Sequence, residues 1–123
     1  MQYRVNPKNG DRLSVLGYGC MRFSRTAGVA VNQKKTEEEL SLALSLGVNY
    51  FDTAYPYHNG ESERVIGRIL KQYPRDSFYL ASKFPGYDLN NMGKVEEIFE
   101  EQLRRCQVDH FDFYLFHNVC EAN

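Results

Sequence analysis

Four short apolar runs return along the chain about every 30 residues, the length of one strand-and-helix unit. They are LGYG (16–19), VNYFDTA (48–54), FYLASK (78–83) and FDFYLFH (111–117). The later runs are apolar almost throughout, without alternation, as strands of a parallel sheet covered on both faces are. Between them lie segments of helical period. NQKKTEEELSLALSLG places Leu40, Ala43 and Leu44 on one face and stops at Gly47, with Asn32 as cap or Thr36 with Glu39 as a capping box. ESERVIGRILKQY places Val65, Ile66, Ile69 and Leu70 on one face, with Pro74 beyond it. VEEIFEEQLRRC aligns Val95, Ile98, Phe99 and Leu103, with acids toward its N-terminus, where the helix dipole favours them. Ahead of all this, QYRVNPKNGDRLSVL (2–16) reads as a hairpin turning at Asn9-Gly10.

The expected order is therefore an N-terminal β-hairpin followed by β-α-β-α-β-α-β, an α/β chain whose four parallel strands lie side by side. An open doubly wound sheet and part of a (β/α)8 barrel both satisfy this pattern. A whole barrel takes about 250 residues, whereas this chain has 123 and stops just after its fourth strand. The expectation is a single partial domain, 1–123, completed by a missing C-terminal half or by self-association.

Charge narrows the partners. A net charge of −1 and a pI near 6.3 give no basic excess for nucleic acid or an anionic membrane surface. No apolar run approaches the roughly 20 residues that span a bilayer, and MQYRVNPKNGDR lacks the apolar core of a signal peptide. Cys20, Cys106 and Cys120 are widely spaced with no CxxC pair, so no zinc or dithiol motif is signalled; they read as reduced thiols in a cytoplasmic protein.

Working residues in parallel α/β folds sit at the C-terminal ends of strands. The first strand here ends in Gly19-Cys20-Met21-Arg22. The second ends in Asp52, with Tyr55 and Tyr57 beyond, the third in Lys83 and the fourth in His117. Singly, each has a plain reading: a loop cap, packing, a solvated lysine, a satisfied core histidine. Together at successive strand ends they make a proton donor. A phenol is a weak acid, with an ordinary pKa near 10. A neighbouring ammonium favours its phenolate, and a carboxylate holds that ammonium charged and in place. An imidazole can orient a carbonyl oxygen. Such a set suits reduction of an aldehyde or ketone by hydride.

YFDTAYPYHNGESERVIG (50–67) resembles the signature of the aldo-keto reductases: F/I-D-T-A, a tyrosine five residues after the Asp, then Gly, Ser-Glu and Leu/Ile-Gly. ASKF, YLFHN and LGYGCMR resemble the family's lysine, histidine and first-strand segments, in order, so the likeness runs from residue 2 to 118. It implies the N-terminal half of a (β/α)8 TIM barrel, the cofactor NADPH, a small-molecule carbonyl substrate and a catalytic tetrad of Asp52, Tyr57, Lys83 and His117. It also implies Gly19, Cys20, Met21 and Asp52 near the nicotinamide and its ribose, with Arg22 joining them or forming a loop salt bridge. Tyr55 and His58 would wall the substrate pocket, and Glu61, Ser62 and Glu63 would cap the second helix. The wording is closest to the branch whose longer members carry a ferredoxin-like, iron–sulfur C-terminal region; no cluster cysteine motif stands here, so no cluster is implied.

Most family contacts to the nicotinamide amide and the phosphates come from the second half of the barrel, so weak NADPH binding and little activity are expected of these 123 residues alone. Two other readings compete. One is a truncated, non-catalytic interaction or regulatory module on the same fold. The other is a metal-dependent hydrolase using Asp52, His58 and His117, which the three histidines and the absence of an HxH pair make poor.

Overall fold

The structure, a computed structural model, describes residues 1–121. Strands β1 (Tyr3–Val5) and β2 (Arg12–Ser14) pair antiparallel, with Tyr3 opposite Ser14. Their turn closes through Gly10 at φ +82°, a conformation glycine adopts without strain. The hairpin closes the end of the main sheet from which the strands start. Tyr3 Oη donates to the Gly47 carbonyl at 3.1 Å, and Ser14 and Asn49 bond each other through backbone N–H and side-chain oxygen.

The main sheet contains β3 (Tyr18–Gly19), β4 (Tyr50–Asp52), β5 (Tyr79–Phe84) and β6 (Phe113–Phe116), all parallel and adjacent in chain order. Helices α1 (Gln33–Ser45), α2 (Glu61–Leu70) and α3 (Val95–Cys106) make the three crossovers. This is the expected β-hairpin and β-α-β-α-β-α-β order. The register fixes which side chains meet at the strand ends. Gly19, Asp52 and Ala81 stand in one row, and Lys83 lies two residues further along, beside Leu115.

Apolar residues at helical spacing become the core. Leu40 of α1 and Val65, Ile66, Ile69 and Leu70 of α2 pack on Phe51 and Leu80 of the sheet and on Phe78 just before β5. Each such side chain contributes roughly 1.5–3 kcal/mol by leaving water. On α3 only Ile98 of the four aligned apolar residues is fully buried; Val95 is exposed. Phe99 instead packs edge-on against Phe111 and Tyr114. Helices α2 and α3 cross at Gly67, where a Cβ would stand 2.7 Å from backbone atoms of Arg105 and Cys106.

Two expectations about helix starts resolve differently. Asn32 caps α1, its Oδ1 accepting from Lys35 N–H at 3.1 Å, while Thr36 is buried and Glu39 turns to Ser24. On α2 the capping reading of Ser62 and Glu63 is wrong. Gly60 at φ +89° starts the helix with no side-chain cap, and both residues are buried. Only Glu61 stays at the surface, beside Arg64. The last strand is shorter than its apolar run and exposes Leu115 and Phe116.

Candidate active site at the strand ends

Asp52 is the last residue of β4, and Lys83 stands near the end of β5, one strand over. Parallel pairing brings the Lys83 Nζ to 2.5 Å from Asp52 Oδ1 and 2.7 Å from the Thr53 carbonyl. The side chain of Lys83 is only 12% exposed and that of Asp52 33%. A short, charge-assisted bond at this burial fixes the ammonium in place.

Tyr57 reaches the same spot from the turn after β4, the 3-10 segment Tyr57–Gly60. Its ring lies under the Lys83 ammonium, 5.1 Å from Nζ to the centroid, within cation–π range. His117, just past β6, is set by its own N–H bonding the Phe84 carbonyl at 3.0 Å. Its ring meets Tyr57 edge-on, centroids 5.8 Å apart, and Tyr87 on another side at 5.4 Å. Burial, then the Lys83 cation, lower the His117 pKa, so the imidazole is neutral at neutral pH; Asp52 only partly offsets this. Its Nδ1 is buried and lacks a hydrogen-bond partner among the described residues.

A cavity of about 490 Å³ opens beside this group, walled by Met21, Arg25, Tyr57, His58, Tyr87 and His117 among others. It is large enough for a small organic molecule. The phenol of Tyr57 and the imidazole of His117 line it, and the Asp52–Lys83 pair lies behind them, Lys83 over the Tyr57 ring.

The remaining expected residues divide. Gly19 and Met21 are exposed at the end of β3, Met21 in the cavity wall. Cys20 faces the opposite way. It is fully buried in the core, its N–H bonds the Asp52 carbonyl at 2.8 Å, and burial followed by the Asp52 charge pushes its thiol pKa up. Its side chain packs in the core with Leu40, Val65 and Ile66 of the helices. Tyr55 does not wall the cavity either. Its ring lies under the Arg105 guanidinium, 4.2 Å from centroid to Cζ, and its hydroxyl reaches toward Glu101. His58 does line the cavity, but it is committed. It stacks on Phe23 and its Nε2 accepts the Phe23 N–H at 2.9 Å. An accepting Nε2 places the ring proton on Nδ1. Among the described residues no three His, Cys, Asp or Glu side chains converge in ligand geometry, so the hydrolase reading finds no ligand set there.

Behind the strand ends lies a polar cluster that hydrophobic periodicity could not reveal. Gln102 of α3 is wholly buried; its Nε2 donates to Glu63 Oε1 at 2.7 Å, Ser82 Oγ at 3.1 Å and the Lys83 carbonyl at 2.9 Å. Its Oε1 accepts from Tyr114 Oη at 2.6 Å. Glu63 is also bonded by Ser82 Oγ and by Arg105, which in turn holds the Tyr55 carbonyl. One network thus grips the backbone of both Lys83 and the segment leading to Tyr57. The only sequence signal was the position of Glu63 and Gln102 within otherwise apolar helix faces.

Residues 15–123 match the model of the Aldo/keto reductase family. The probable aldo-keto reductase 1 of Glycine max is 31% identical over 118 residues, covering 89% of this chain and 34% of that protein. The aldo-keto reductase YhdN of Bacillus subtilis is 30% identical over 125 residues, covering 95% of this chain and 38% of that protein. An aldo-keto reductase from Klebsiella pneumoniae, solved in complex with NADPH, superposes with a TM-score of 0.74 at 26% identity, over 95% of this chain and 40% of the other. The chain therefore spans between about a third and two-fifths of the length of these relatives.

Proposed function

The chain belongs to the aldo/keto reductase family, and we propose that it carries the proton-transfer end of a carbonyl reductase: in complete form it reduces an aldehyde or ketone with hydride from NADPH. The observation that carries this reading is the Lys83 ammonium, held between Asp52 and the Thr53 carbonyl and lying over the Tyr57 ring.

The residues present suit the reactive end of such a cofactor. Gly19 and Met21 lie exposed beside Asp52, and the burial of Cys20 removes one of the expected contacts. NADPH, when bound, supplies the hydride that reaches the carbonyl carbon. The chain's own groups manage the oxygen. Tyr57 Oη gives its proton to the developing alkoxide. Lys83 stabilises the phenolate left behind, and Asp52 keeps the lysine charged and aimed. His117, neutral because burial and Lys83 lower its pKa, orients the carbonyl through a ring N–H rather than acting as the acid. The cavity volume of about 490 Å³ fits a small substrate.

The test is NADPH oxidation followed by absorbance with a panel of simple aldehydes. The first sample is the 123-residue chain alone; the second is any form that supplies the rest of the barrel. Aldehyde-dependent oxidation in the completed form supports the reading. None there, in a folded protein that binds NADPH, contradicts it.

A further inference from the structure

On the helical surface, α2 and α3 enclose a second groove of about 500 Å³. Its walls are Arg64, Arg68, Glu101, Arg104, Arg105 and Gln107. Four of the chain's nine arginines thus meet in one place, in a protein whose net charge is −1. The lining holds no apolar or aromatic side chain.

These guanidiniums are not equally occupied. Arg105 is consumed, paired with buried Glu63 at 3.3 Å and with Glu101 at 2.9 Å. Arg64 donates to the Gly60 carbonyl at 2.9 Å and reaches Glu61 only at 3.6 Å. Arg68 is held by a neutral group, its Nε donating to Gln33 Oε1 at 2.8 Å, which leaves its terminal nitrogens available. Among the described residues no carboxylate pairs with Arg68 or Arg104. The cations are also close together. Nη1 of Arg64 and Nη1 of Arg105 both lie within 4 Å of where a Gly60 Cβ would stand. Arg105 is already neutralised by Glu63 and Glu101, so the cations left for a ligand are Arg68 and Arg104, with Arg64 beside them.

We propose that this groove binds a small phosphate-bearing polyanion. Planar guanidinium forks match phosphate oxygens two at a time. The absence of an aromatic wall leaves no platform for a base or ring, so recognition rests on the phosphates. Arg68 and Arg104 would supply the bidentate contacts, Arg64 a third cation, and Gln107 a neutral donor. The groove lies on the helices and uses none of Asp52, Tyr57, Lys83 or His117, although Arg64 and Arg105 also hold the Gly60 and Tyr55 carbonyls of the turn that carries Tyr57.

Pyrophosphate is the probe, titrated calorimetrically into the purified protein at constant ionic strength. The expected result is saturable binding that raises Tm and weakens with added salt. Losing one charge-assisted contact costs about 1.5 kcal/mol, roughly tenfold in affinity. Arg104→Gln and Arg68→Gln should therefore each weaken binding about tenfold. Arg104 is exposed, so Arg104→Gln should leave the anion-free Tm unchanged and separates lost binding from lost folding. Absence of saturation, or saturation that survives both substitutions, overturns the proposal.

Discussion

Removing the Lys83 ammonium leaves Asp52 without its partner and Tyr57 without the charge over its ring. In any form that reduces carbonyls, Lys83→Met should lower kcat by about a hundredfold or more. It should also cost about 1–2 kcal/mol of stability, a modest figure because Asp52 remains a third exposed. Steady-state kinetics and chemical denaturation check the two parts separately. The histidines make a pH prediction. Burial, then the Arg25 cation, lower the His58 pKa below its ordinary 6.5. The native state therefore binds fewer protons than the unfolded chain between that lowered value and 6.5. The stability contributed is fully present above 6.5 and is lost as pH falls through the lowered value. His117 acts in the same direction. Tm should drop as pH falls below about 6.5, and His58→Gln should shrink the drop. At this scale the gathering of Asp52, Tyr57, Lys83 and His117 at the strand ends was legible from their spacing along the chain. The orientations of Cys20, Tyr55 and His58 were not. They depend on strand alternation, on Arg105 arriving from α3 and on a backbone N–H from Phe23, none of which local sequence encodes.

Helix α3 does more than cover the sheet. Through Gln102 it ties α2, β5 and β6 together. Gln102→Leu keeps the volume but removes one buried partner each from Glu63, Ser82 and the Lys83 carbonyl, and takes the Gln102 acceptor from the Tyr114 hydroxyl. The expected loss is about 2–4 kcal/mol by denaturation. Gly67→Ala tests the helix crossing, where the added methyl would meet the Arg105 and Cys106 backbone rather than a movable side chain. It should cost about 1–3 kcal/mol. The elements themselves were readable from periodicity, turn residues and Pro74, since apolar spacing reports which face meets the core. What periodicity could not show is a polar residue buried by design. Glu63 in the first turn of a helix looks like a dipole partner, and only the neighbouring Gln102 and Arg105 reveal why it points inward.

A four-stranded parallel sheet carries the helices, an antiparallel hairpin packs where its strands start, and Asp52, Tyr57, Lys83 and His117 gather where they end. The order of strands followed from the right-handed crossover rule and short connections. The arginine groove between α2 and α3 did not follow, because it needs the helices' mutual rotation. The assembled site makes one central claim, that Tyr57 is the proton donor of a carbonyl reduction. The most direct measurement compares Tyr57→Phe with the unsubstituted protein, in a form that turns over, for aldehyde reduction and for NADPH affinity by fluorescence titration. Turnover should fall at least about a hundredfold in Tyr57→Phe with NADPH affinity retained, while Tyr55→Phe stays near the unsubstituted rate. Full activity in Tyr57→Phe, or an equal loss in Tyr55→Phe, would contradict it.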